Sequence, residues 1–159
     1  MMTGLEPREF TWVIARRLAV SERIGGRGFQ HRRVRREEEI AWLKHHGVNS
    51  VLSLLESNQN LASYEGAGLT FAHQPLEDLE AGSVAAVFEK IHSMLEVRGT
   101  VLLVHRDTID DAMAGILAGY LVYSGLIKDP IIATAAIQEI LKRPLGPVGR
   151  AVIPIGVGT

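Results

Sequence analysis

Six residues near the middle of the chain, Thr100 to His105, read TVLLVH, and this run constrains the fold more than any other. A strand that is apolar on both faces belongs at the centre of a parallel sheet covered on both sides. The chain then crosses a short loop holding Asp107, Asp110 and Asp111 and enters an alanine- and glycine-rich apolar segment, read as a helix to about Ser124. A strand feeding a helix through a tight loop is a common frame for anion chemistry, because a helix start points unpaired N–H groups at the loop. Here the loop is acidic, and the question is what its carboxylates do.

The neighbouring segments alternate in type. Trp12–Ile14 and Leu18–Val20 read as edge strands of a hairpin, followed by a Gly- and Arg-rich loop. RREEEIAWLKHHG (Arg35–Gly47) reads as a helix with Ile40 and Leu43 on one side and Gly47 as its stop. NSVLSLLES is a buried strand, NLASYEGAG a short helix, and LTFAHQP (Leu69–Pro75) a further strand. Val84, Val87, Phe88, Ile91 and Leu95 recur at helical spacing, with Ser83 as the expected N-cap. A last helix starts at Asp129 and Pro130, a cap followed by the residue best tolerated in a first turn. Strands alternating with helices predict an α/β fold, a single domain over 1–159 with a central, mainly parallel sheet flanked by helices.

With 159 residues, 47% hydrophobic and a net charge of −1, the chain reads as an ordinary globular protein with no global attraction to nucleic acid or anionic membrane. No apolar run is long enough for a membrane span. The start, MMTGLEPREF, lacks the pattern of a secretory signal, so a cytoplasmic location is expected. There is no cysteine, which removes disulfides, zinc thiolates and thiol nucleophiles together.

Two readings of the acidic loop remain open. In the first, Thr108 and Asp111 form a capping box, and Asp110 and Asp111 complement the helix dipole for roughly 0.3–1 kcal/mol each. His105 is then a strand-end histidine bonded to backbone. The second reading rests on a resemblance. VLLVH, with AGYL (Ala118–Leu121) at the matching distance downstream, resembles the signature region of small dual-specificity phosphatases of the cysteine-dependent tyrosine phosphatase superfamily. That signature is His-Cys-x-x-Gly-x-x-Arg-Ser/Thr after a buried strand. FTWVIARRLAVS, WLKHHGVNSVLSLLES and GLTFAHQPLEDLE resemble the family's entry hairpin, first βα unit and acid-bearing loop. The resemblance spans about Phe10 to Pro144 and leaves 145–159 as an apolar tail.

Laid over this chain, the signature is degenerate. Arg106 stands at the nucleophile position, Ile109 at the glycine, Ala112 at the phosphate-gripping arginine and Met113 at the hydroxyl residue. His105 matches, and Asp78, rather than its neighbour Glu77, corresponds to the family's general acid. An acid without a nucleophile cannot run the covalent reaction the family uses. A phosphate held about 5 Å from one carboxylate feels roughly 3 kcal/mol of repulsion at an effective dielectric of about 20. The resemblance therefore implies a degenerate loop, Arg106, Asp107, Thr108, Asp110 and Asp111, that fills its own anion site with a carboxylate.

Three functions follow as expectations: a catalytically inactive, phosphatase-like binding or regulatory module; a phosphoester hydrolase using carboxylates and a divalent metal; or a structural subunit. The metal reading requires Asp78, Asp107, Asp110 and Asp111 to converge. The first needs no cofactor and expects a protein partner, with neither membrane nor nucleic acid, and a homo-oligomer through the apolar tail is open. The run RGFQHRRVRREEE (Arg27–Glu39) carries five arginines, but the glutamates that follow favour local ion pairing over a phosphate-binding patch. His45 and His46 fall at a helix end, where a positive ring is favoured.

Overall fold

The computed structural model describes residues 4–26, 33–57 and 60–157. The first part of the arginine run, residues 27–32, and the last two residues of the tail lie outside these. The elements follow in the order β1 (Thr11–Ile14), β2 (Leu18–Ser21), α1 (Arg33–His45), β3 (Ser50–Ser53), α2 (Leu61–Gly66), β4 (Thr70–His73), α3 (Ala81–Glu96), β5 (Leu102–His105), α4 (Asp111–Tyr123), α5 (Pro130–Leu141) and α6 (Pro147–Val152), with a closing 3-10 turn at Ile153–Val157. The fold class is the expected α/β. Within the chain, contacts group into two compact units, Met1–Pro75 with Leu95–Thr108, and Leu76–Met94 with Ile109–Thr159.

The first unit holds the sheet, in strand order β1-β2-β5-β3-β4. β5 lies at its centre as its sequence demanded, and all four of its residues are buried. β1 runs antiparallel to β2, while β2, β5, β3 and β4 pair in parallel. The hairpin is therefore not a pair of edge strands. β1 is an edge, but β2 is interior and fully buried. Its run Leu18–Ser21 is too short for alternation to distinguish the two cases.

Ile40 and Leu43 of α1 join Ala19, Ile24, Val51, Tyr64 and Leu103 in one core cluster. Gly47 ends the helix with φ +90°, a conformation that favours glycine. The helix begins two residues earlier than its apolar spacing suggested. The expected local ion pairing forms in Arg33–Glu37 and Arg35–Glu39, and the helix buries Glu39. Glu39 Oε1 accepts the Gly25 N–H at 2.7 Å and its Oε2 accepts from Arg35 Nε at 3.0 Å. The buried carboxylate is thus compensated and fixes the turn that follows β2.

In the second unit, α3 turns Val84, Val87, Phe88 and Ile91 inward, as their spacing predicted. It starts at Ala81, so Ser83 is inside the first turn and is not the N-cap. At the start of α5, Asp129 accepts the Ile131 N–H at 2.9 Å, as expected of that cap. Eleven of the thirteen residues of α4 are buried, which leaves it no polar face. Its glycines explain how neighbours approach. A Cβ at Gly115 would strike the Gly149 main chain, and one at Gly119 would meet the Phe88 ring at 2.6 Å. A Cβ at Gly156 would strike the Gly119 carbonyl. The apolar tail therefore packs along α4 within its own unit, with Val152 and Ile153 buried and Val148 and Val157 exposed.

This backbone approach predicts a contrast between two glycines. Gly115→Ala must displace α6 and is expected to destabilise by about 1–3 kcal/mol, several degrees in thermal midpoint. Gly82 of α3 has nothing within 4 Å of its would-be Cβ, so Gly82→Ala is expected to be neutral or to stabilise by up to about 1 kcal/mol. Thermal unfolding followed by circular dichroism checks both.

Candidate functional site

The carboxyl ends of β2, β5 and β3 lie level. Ser21 and Ser53 both stand opposite His105 in the parallel registers. The chain segments leaving these strands therefore share one edge of the sheet, the place where open parallel sheets carry their sites.

His105 is completely buried, and its Nε2 shares a 2.8 Å hydrogen bond with the Tyr64 hydroxyl. The expected backbone partner is the adjoining Arg106 main chain. Its Nδ1 has no hydrogen-bond partner of good geometry. Burial pulls the His105 pKa down to about 4, opposed in part by the adjoining Arg106 main chain. Burial likewise pushes the Tyr64 phenol up, against a hydrogen bond from the Asn60 side chain. Asn60 Nδ2 in turn donates to the Ile24 carbonyl at 2.7 Å. A neutral imidazole and a neutral phenol thus form a polar link inside the core, from α2 to the end of the central strand. The sequence showed Tyr64 only as a residue of a short helix. No local pattern marks it as a partner 41 residues from His105.

The carboxylates of the degenerate loop take separate partners. Asp107 Oδ1 pairs with Arg23 Nη1 at 3.0 Å, and its carbonyl accepts the Arg23 N–H at 3.3 Å. Arg23 was not among the expected site residues. Its position shows only when the parallel register sets it two residues past Ser21, beside the residue two past His105. Asp110 is the N-cap of α4, in extended backbone conformation, with Oδ1 accepting the Met113 N–H at 2.9 Å. The cap is therefore Asp110, not Thr108, and the Thr108–Asp111 capping box does not form. Asp111 points its two oxygens at the Gly146 and Gly149 amides, at 2.7 and 2.8 Å. Those donors hold its carboxyl below the usual carboxylate range. Ile109 offers its carbonyl to Arg143 Nη1 at 2.8 Å, and Ala112 and Met113 are buried in the helix.

Asp78 precedes α3. Its carboxylate accepts the Glu80 N–H at 3.0 Å, and a hydrogen bond with the Ser83 side chain, then that amide, hold it below the usual carboxylate range. Glu77 beside it is exposed. Among the described residues, no group of three or more His, Asp or Glu side chains is placed to hold a metal ion. The Ser83 side chain, backbone amides and one arginine take oxygens of Asp78, Asp107, Asp110 and Asp111. Among the described residues, no helix is long and apolar enough to cross a membrane.

By sequence, the chain matches no protein-family model and no curated protein. By structure, it is similar to a kinase associated phosphatase whose catalytic cysteine is replaced by serine, at 16% identity over 92% of each chain, with a TM-score of 0.73. Tk-PTP in its active form matches at 14% identity over 94% of this chain and 95% of that one, with a TM-score of 0.70. The core catalytic domain of the PP-IP phosphatase SIW14 from S. cerevisiae, in complex with citrate, matches at 9% identity over 95% and 87%, with a TM-score of 0.66. The chain has the fold of the dual-specificity and protein tyrosine phosphatases. At these identities it is the fold that is shared.

The buried neutral His105 predicts an acid-sensitive fold. The unfolded chain binds a proton near the ordinary histidine value of about 6.5, whereas the folded chain resists until about pH 4. Stability is therefore full above the unfolded value and falls as pH drops through that window, by about 2–3 kcal/mol near its lower end. Urea unfolding at pH 7 and pH 4.5 measures this loss. His105→Gln is expected to flatten it, whatever its effect at pH 7. An unchanged slope would show that another group is responsible.

Proposed function

We propose that this chain is a catalytically inactive phosphatase-fold protein that works as a binding module. The observation that carries this reading is the residue after His105. Arg106 stands at the position where a thiolate would attack phosphorus, and the chain contains no thiol to replace it. A guanidinium has no lone pair to offer an electrophile and stays protonated at every working pH.

The other loop residues support the same reading. Asp78, the counterpart of a general acid, is held ionised by Ser83 and the Glu80 amide. A general acid needs the opposite shift, since it must carry a proton near neutral pH. Asp110 covers an amide at the start of α4 that would otherwise face an incoming anion. Asp111 is engaged with Gly146 and Gly149. Each carboxylate that could have served chemistry instead holds the chain's own backbone or a side chain of its own unit.

Purified protein is expected to release no product from an aryl phosphate above the rate of buffer, with a chelator present and with Mg²⁺ or Mn²⁺ added. Turnover in chelator would overturn the proposal. Metal-dependent turnover that Asp110→Asn abolishes would overturn it in favour of carboxylate-and-metal hydrolysis.

A further inference from the structure

Val34, Glu37, Ala41 and Lys44 follow one another along α1 at intervals of three or four residues and share one stripe of the helix. All four are exposed, Val34 to 67%. Beside the stripe, α1 and α2 of the first unit border a groove of about 430 Å³. Between Glu37 and Lys44 its lining is apolar or small, with Ile40 and Ala41 from α1 and Ser63, Gly66 and Ala67 at α2. The two charges have opposite sign and flank Ala41, Glu37 four residues before it and Lys44 three after. Arg33 Nε donates to Glu37 Oε1 at 3.0 Å, and Lys44 Nζ donates to the Ala67 carbonyl at 2.6 Å. A carboxylate accepts through two oxygens and an ammonium carries three donors, so each group has capacity for a further partner.

We propose that this face is a self-complementary interface through which two copies of the chain pair. Turned end for end about a two-fold axis beside Ala41, a second α1 brings its Lys44 to Glu37 and its Glu37 to Lys44. The charge pattern selects a second copy as the occupant, because a stripe with one acid and one base about a small residue is complementary to itself reversed. Ala41 has no side chain beyond Cβ, and Gly66 has nothing within 4 Å of its would-be Cβ. The second helix can therefore approach closely enough to cover the groove and take Val34 out of water. Pairing across one helix face is small in area, so it is reversible. The inference goes beyond the inactive-module reading and does not depend on it.

Sedimentation velocity of the full chain between about 10 μM and 1 mM tests the proposal. Wild type is expected to pass from monomer to dimer within that range. Glu37→Lys sets lysine against lysine at both contacts, and Lys44→Glu sets glutamate against glutamate. Each reversal alone should raise the dissociation constant about 10–100-fold, through two exposed pairs lost and two repulsions gained. Mixing the two variants restores opposite charges at both contacts, and the mixture should associate within about 3-fold of wild type, as a heterodimer. Both positions are exposed, so the fold is expected to survive, as circular dichroism checks. Glu37→Gln, which removes the charge alone, stands in if a reversal unfolds the chain and should weaken association about 3–10-fold. A wild type that stays monomeric throughout would overturn the proposal and leave the groove to a different protein. Self-association indifferent to the substitutions, or reversals that mixing fails to rescue, would overturn it as well. Those failures leave the inactive-module reading standing, whereas phosphate release from a phosphoester removes that reading independently.

Discussion

The level registration of β2 and β3 against β5 is the constraint on which the candidate site depends. Parallel pairing places Ser21, His105 and Ser53 at one height, and β5 is buried along its whole length. A polar ring at the end of such a strand has no access to water, so its hydrogen bonds must come from the protein. Tyr64 supplies one, and both partners stay neutral because burial disfavours their charged forms. The same register brings Arg23 beside Asp107 and the Leu54–Ser57 segment next to both. A shift of one residue in either pairing would turn these side chains to opposite faces of the sheet.

In the second unit the corresponding constraint is close backbone approach. Gly115 and Gly119 remove side chains from two positions of α4, and Gly149 and Gly156 come against them. Asp111 fastens the entry of α6 by accepting two of its amides. A helix start leaves such donors without intrahelical partners, and here a carboxylate from another helix satisfies them. An apolar tail that could have served a partner is thereby part of its own unit's packing, leaving only Val148 and Val157 exposed among its larger apolar residues.

These two constraints answer why a loop at a strand-to-helix junction is acidic. Asp110 caps the helix, Asp111 ties down α6, and Asp107 rests on Arg23. None of these arrangements requires substrate. The Arg23–Asp107 pair borders a cavity.

Much of the architecture was legible in the chain because it rests on local patterns. TVLLVH announced a central strand, the 3.6-residue spacing of α3 announced its buried face, and Gly47, Asp129 and Pro130 marked helix ends. The lack of cysteine, with Arg106 after His105, was likewise a matter of letters alone. What only the tertiary structure decided involves residues far apart in sequence: Tyr64 with His105, Arg23 with Asp107, Glu39 with Gly25, and Asp111 with Gly146 and Gly149. In sequence a buried glutamate looks like its solvated neighbours, and a capping aspartate looks like a ligand. Partners for charged and polar groups are chosen by strand register and backbone approach, which no short window of residues encodes.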